Sequence, residues 1–512
     1  MNGFNKTNNG SFIAGMVIFF MSSVVSAAEI PSGYNTPIPA SIMTPDKVNT
    51  RIGTLEFFDG VPTEKTAKLV LDNLMFLRGV EAFLNGLPMA SVHAAIKGFK
   101  SIGVTEAHHM IVTDKLMDSN PLFLTANTDT VYAFNAFDLE QTGPVVIEVP
   151  PGTGPGTVND AFFRFVVDMG APGPDRGRGG KYLILPPGYD GEEPEGYFVS
   201  RSPTYNNLLV LRGFLVDGKP DAAARMFSER VKIYPLSKKD NPPEMIITSG
   251  SGISYNTIHA NNFSFYEEIA EVLHKEPLDF IDLELRGLFA SIGIQKDKNF
   301  NPSPELKKTL TDAVAVGNAT ARALIFRTPQ EEAYLYEGSY WKVGFIGGNH
   351  EWLKDGGAGG RYLDARTLFF YGATVNTPAM VLKMVGLGSQ YAIATQDSSG
   401  NIFDGAKNYK LTIPADVPAK DFWSIVVYDP QTRSELQTSN PFPSKNSKRG
   451  NMAENADGSV DLFFGPEAPE GKEQNWIETV PKKSWFPILR IYGPLEPWFD
   501  KSWKPGEVEL IE

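Results

Sequence analysis

PVVIEVP (144–150), AFFRFVVDM (161–169), KYLILPP (181–187), GYFVS (196–200) and NNLLVLRGFLV (206–216) follow one another with Gly- and Pro-containing turns between them. Short apolar runs rich in β-branched and aromatic residues, bounded by turn formers, predict strands. Their spacing, without intervening helical periodicity, predicts a β-sandwich rather than βαβ units. A second such series follows Tyr391: YAIATQD, NYKLTIP (408–414), DFWSIVVYD (421–429), SVDLFFG (459–465) and WFPILRIYG (485–493). Between the two series lie helical patterns: PDAAARMFSERVKIY (220–234), FSFYEEIAEVLHK (263–275), FIDLELRGLFASIG (280–293) and SPELKKTLTDAVAVGNATARALIF (303–326). The fold class expected is mainly β with an α layer.

Working outward, a helix should open after Thr63, carry Leu69, Val70, Leu74, Leu77 and Leu84 on its apolar side, and stop at Gly86 and Pro88. A shorter helix is expected over 91–100. Residues 28–62 (IPSGYNTPIPASIMTP at 30–45) read as a Pro-rich, irregular arm. The first 27 residues, with Lys6 followed by the apolar stretch 12–25 and small residues to Ala27, read as a cleaved secretory signal, so the protein is expected to be exported, periplasmic or secreted. The expected divisions are thus 1–27, 28–62, a helical piece 63–120, a sandwich 121–218, a helical or mixed region 219–390 and a sandwich 391–512.

Composition narrows the chemistry. With 42% hydrophobic residues, 12% aromatics, 48 Gly and 38 Pro in 512 residues, the chain can bury a large core and has many turns. Cysteine is absent, which removes disulfides, thiolate zinc sites, iron–sulfur clusters and Cys nucleophiles. A net charge of −13 disfavours nucleic acid and anionic lipid as partners, and no stretch after the signal reaches membrane length. No GxxxxGK[ST], HExxH or GxSxG occurs. No metal ligand set is assigned and no cofactor is identified.

The most unusual local sequence is LFLTANTDTVYAFNAFD (122–138). In an extended strand Thr125, Asn127, Asp129 and Asn135 share one face, and Asn127 and Asp129 lie about 7 Å apart. They then engage one ligand or loop, or else Asn127-Thr128-Asp129 is an Asx turn capping a strand. In AFFRFVVDM the same parity sets Arg164 and Asp168 about 13 Å apart, too far to pair directly, and Asp129 is the expected partner of Arg164 if the two strands are neighbours. His108-His109 is the only adjacent histidine pair.

The runs PLFLTANTDTVYAFNAFDLEQTGPVVIEVP, FRFVVDM and DRGRGGKYLILPPGYDGEEPEGY resemble the domain of unknown function 1254. NIFDGAKNYKLTIPADVPAKDFWSIVVYD, NADGSVDLFF, QNWIETV and PILRIYGPLEPWFDKSWKP resemble the domain of unknown function 1214. The resemblance implies an N-terminal helical piece, an immunoglobulin-like sandwich, and a C-terminal jelly-roll-like sandwich beyond a helical linker region. Its matching positions in the first domain are Asn127, Asp129, Thr130, Tyr132, Arg164, Asp168, Gly180 and Tyr182. In the second, positions such as Trp423, Tyr428, Arg490 and Tyr492 read mostly as structural. The usual Asn-Asn-Asp-Thr motif stands here as Asn-Thr-Asp-Thr, and the tyrosine-rich strand as Phe162-Phe163-Arg164-Phe165.

Two functional readings follow. One is an exported enzyme using acid/base chemistry on a small polar or carbohydrate-like molecule, with Asp129, Tyr132, His108 and His109 as catalytic candidates and Asn127, Thr130, Arg164, Asp168 and Tyr182 as ligand contacts. The other is a noncatalytic periplasmic or cell-envelope protein that binds a ligand, or a structural subunit of a homo-oligomer strapped by the 28–62 arm.

Overall fold

The computed structural model describes residues 36–449 and 451–511; the signal segment and the start of the arm lie outside the described residues. Two compact units divide the chain, up to Leu74 and from Met75 onward. In the smaller, the stretch expected to be irregular forms a three-stranded antiparallel sheet, Lys47–Thr50, Gly53–Phe58 and Val61–Pro62. Thr63 Oγ1 accepts from the Thr66 amide at 3.3 Å, capping the helix that follows.

That helix runs unbroken from Glu64 to Ser101 with Pro88 inside it, where local rules expect two helices. Burial explains the difference. Phe83, Leu87, Met89, Ala90, Val92 and Phe99 are all buried in the larger unit, so packing on both sides of Pro88 outweighs its lost hydrogen bond. Gly98 permits a close approach to backbone: a Cβ there would lie 2.3 Å from the Asn256 carbonyl oxygen. The helices Ser264–Lys275, Pro304–Phe326 and Leu363–Gly372 share this core.

The first sandwich pairs a four-stranded sheet with a six-stranded one. The strands His109–Val112, Lys232–Pro235 and Ile246–Ser249 extend it beyond the 121–218 stretch. Side-chain alternation then decides what each sheet face carries. In Val131–Asp138 and its neighbour Asn206–Gly213, the residues Val131, Ala133, Phe137, Leu209 and Leu211 point into the sandwich core. The opposite face carries Tyr132 beside Arg212, and then the cross-strand row Ile111, Phe134, Val210, Thr157 and Asp168.

The second sandwich stacks a five-stranded sheet on a four-stranded one around Trp341, Trp423, Ile425, Trp485, Leu489 and Ile491. Its five-stranded sheet also has an outer face. Register aligns Tyr391 of Ser389–Ala394, Arg490 of Phe486–Pro494, Ser424 of Ala419–Tyr428 and Asn446 of Ser444–Asn446 in one row across it. Two sandwiches joined by a helical layer are thus the architecture, mainly β with an α layer.

Replacing Gly98 with alanine should lower stability by about 1–3 kcal/mol because the Cβ meets backbone. The same change in an exposed helix raises stability by about 0.5–1 kcal/mol. Urea unfolding of Gly98→Ala that shows no loss would refute the close approach.

Candidate functional site

The two outer faces come together around a cavity of about 720 Å³. Tyr132, Phe134, Thr157, Asp168, Val210 and Arg212 border it from the first sandwich, and Tyr391, Ile393, Phe422, Asn446, Ile488 and Arg490 from the second. The segment 373–377 closes another side. Two β-branched residues on the wall, Thr125 (φ 42°) and Val375 (φ 68°), hold left-handed backbone conformations. Such conformations cost on the order of 1–3 kcal/mol each and persist only where surrounding contacts impose them. Here those contacts are visible. Arg490 Nη2 donates to the Thr125 carbonyl, and the Thr125 amide donates to the Arg433 carbonyl at 2.8 Å. Beside Val375, Asn376 is fixed by Asn159 and Phe163, and Thr377 donates to Asp168 at 2.6 Å.

Each sandwich supplies one tyrosine–arginine pair, Tyr132 with Arg212 and Tyr391 with Arg490. Arg490 also lies over the Tyr391 ring, 5.2 Å from its centroid. Burial by itself would raise the Tyr391 pKa. The charges of Arg212 and Arg490, with hydrogen bonds from Arg212 and Ser389, outweigh burial and hold this phenol below the ordinary tyrosine value. Tyr132 moves the other way, because burial dominates there and raises its pKa. Neighbouring phenols thus have ionisation tendencies pushed apart, an arrangement suited to one accepting and one donating a proton. Behind the cavity, Glu435 is buried with both carboxyl oxygens unpartnered. Burial, with the Asp129 charge, raises its pKa well above the ordinary carboxylate value. Among the described residues, no group of three or more His, Asp or Glu side chains is placed to hold a metal ion.

Residues 108–235 match the family model described as protein of unknown function (DUF1254), and residues 388–496 match that described as protein of unknown function (DUF1214). The chain carries the DUF1254 and DUF1214 domains in tandem. The crystal structure of the VPA0106 protein from Vibrio parahaemolyticus shares the fold, with a TM-score of 0.51 and 17% identity over 86% of this chain and 100% of that one. An uncharacterized protein from Burkholderia cenocepacia aligns at a TM-score of 0.39 and 12% identity, over 86% of this chain and 96% of that one. No curated protein matches the sequence.

Within the DUF1254 domain the candidates named from sequence separate. Tyr132 and Asp168 border the cavity. Asn127 lies behind the wall: its Nδ2 donates to the Tyr132 hydroxyl, while its Oδ1 accepts from the Asp129 amide at 2.8 Å and Thr130 Oγ1 at 3.2 Å. That is an Asx turn, so 122–130 is not the extended strand that parity assumed; the strand begins at Val131. Asp129 is fully buried and reaches into the DUF1214 domain, accepting from Asn446 Nδ2 at 3.0 Å and pairing with Arg449 at 3.0 Å.

The expected Arg164–Asp129 pair does not form. Residues 161–164 turn before the strand Phe165–Met169, because Asp160 Oδ1 accepts from both the Phe162 and Arg164 amides at 2.8 Å. The turn sets Arg164 Nε against Asp160 Oδ2 at 2.6 Å and Nη1 on the Phe280 carbonyl. Tyr182 donates to Asp175 inside the sandwich, away from the cavity wall. His108 and His109 meet edge to face, with ring centroids 4.6 Å apart, where the strand His109–Val112 begins, and neither borders the cavity.

Arg212 and Tyr391 are the wall residues that sequence reasoning passed over. A signal was present: NNLLVLRGFLV and FPILRIYG each place a single arginine inside an otherwise apolar strand. A charge so placed must face something other than its own core.

Two measurements follow from this geometry. Ultraviolet difference titration should show one tyrosine ionising below the ordinary range; Tyr391→Phe should remove that step and Arg212→Met should move it upward. A double-mutant cycle on Asp129→Ala and Arg449→Ala should give a coupling of about 1–3 kcal/mol in urea unfolding, while Asp129→Ala with Arg164→Ala should be additive.

Proposed function

We propose that this tandem DUF1254–DUF1214 chain is an exported enzyme that carries out proton transfer on a small organic molecule held between its two domains. Tyr391 is the acid/base group, Arg212 and Arg490 stabilise its phenolate, and Tyr132 is the opposing proton donor. The observation that carries this reading is the convergence of two tyrosine–arginine pairs, one from each domain, on one cavity. Strained backbone at Thr125 and Val375 on the same wall supports it, since such conformations concentrate at working sites.

In this reading Asp129 and Asn127 position rather than react. Asn127 orients the Tyr132 hydroxyl. Asp129 holds Asn446 and Arg449, both on the cavity wall, and so transmits the DUF1254 turn to the DUF1214 side. The predominance of apolar side chains on the wall favours a second reading, a noncatalytic carrier of the same molecule.

Incubation in deuterium oxide with a panel of small organic acids and hydroxy compounds, followed by NMR, separates the two. An enzyme of this kind exchanges a C–H bond of its substrate with solvent, and Tyr391→Phe abolishes exchange while leaving the melting temperature near wild type. The rate should rise with pH as Tyr391 ionises, and that limb should move to higher pH in Arg212→Met, which removes a charge favouring the phenolate. Binding without exchange, equal in wild type and Tyr391→Phe, would support the carrier.

A further inference from the structure

We infer that the molecule this cavity takes carries a carboxylate on an apolar body, with the carboxylate against the Arg212 guanidinium and the body along the aromatic wall. The inference rests on the cavity being the working site, and it adds the substrate class.

Charge balance is the first ground. Arg212 forms no ion pair with a carboxylate among the described residues, and the groups acting on it are the phenols of Tyr391, Tyr132 and Tyr492. Arg490 directs Nη2 to the Thr125 and Ala126 carbonyls and the Tyr428 hydroxyl, and its buried Nε has no partner. The other cations on the wall are engaged or exposed. Arg449 is paired with Asp129, Lys420 donates to the Gly386 carbonyl, and Lys448 is exposed. Glu435 is the carboxylate that acts on Arg490, and Asp168 on the wall is held by Thr377, so Arg212 is the covered guanidinium left without a carboxylate, and covered charge calls for a counter-charge. A planar guanidinium binds the two oxygens of a carboxylate side by side. A dianionic phosphate would need further cations, and of those nearby Arg449 and Lys420 already have partners and Lys448 is exposed.

The wall is the second ground. Phe123, Phe134, Val210, Phe369, Ile393 and Ile488 border the cavity without polar atoms. A space of about 720 Å³ is far more than a bare acetate or formate requires and lies in the range of pockets that enclose drug-sized molecules. Both an aliphatic and an aromatic body satisfy this chemistry, and the probes below distinguish them.

The test is isothermal titration of the intact protein with decanoate and hydrocinnamate, each beside its neutral amide. The expected result is that at least one acid binds, with an affinity about 10-fold to 100-fold above its amide, and that Arg212→Met removes the preference. Affinity for the acid should fall as pH rises and the Tyr391 phenolate claims the same guanidiniums, and Tyr391→Phe should abolish the fall. Met380→Trp, which fills the cavity, should exclude acid and amide alike. Equal affinity of acid and amide would overturn the carboxylate assignment while leaving the cavity as the site. Binding that persists unchanged in Met380→Trp would overturn the cavity itself, and with it the proposed function. Absence of binding by both acids would overturn the substrate class. Should Arg212→Met fail to fold, the acid–amide comparison on the wild type still decides.

Discussion

Arg490 stands where the two domains meet. Rising from the outer face of the DUF1214 sheet, its guanidinium reaches across to the carbonyls of Thr125 and Ala126, the segment that leads into the Tyr132 strand, and holds the Tyr428 hydroxyl at 2.7 Å. Tyr428 donates in turn to the Ala126 carbonyl. A guanidinium offers five N–H donors in a fixed plane, so one buried side chain can satisfy several carbonyls that no helix or sheet has paired. Without such a partner the irregular segment before Val131 would leave buried backbone oxygens unsatisfied. Asp129, with Arg449 and Asn446, repeats the device a few residues on, with the charges exchanged between domains.

This clamp accounts for the charged residues that the cavity wall carries where the domains meet. The residues that hold the domains together are charged because they must pair irregular backbone. The walls beyond them are the ordinary outer faces of two sheets, covered by aromatic and branched side chains. Electrostatics follow from that arrangement. The charges of Arg212 and Arg490 lower the Tyr391 pKa, while at Tyr428 and Tyr492 burial outweighs the charge of Arg490 and raises it.

How far all this was legible varies with the range of the interaction. The strands of both sandwiches follow from runs such as NNLLVLRGFLV and SVDLFFG, because alternation and turn residues are local signals. The Asx turn at Asn127 was also within reach, being a contact over two residues. By contrast, Pro88 marks a helix end by local rules, and only burial among Phe83, Phe99 and the helices packed on them keeps the helix whole. Arg164 was misassigned for a related reason: strand parity was applied to residues that a buried Asp160 bends into a turn.

By itself the sequence determined the two β series, the helical layer between them, the absence of thiol chemistry and the residues Tyr132 and Asp168 as cavity candidates. These depend on composition and on spacing within a few residues. Only the tertiary structure decided that Tyr132 stands beside Arg212, that Tyr391 stands beside Arg490, and that the two pairs share one cavity. Strand register and domain packing make those neighbours, and both arise from contacts between segments far apart in the chain, for which no local pattern carries a record.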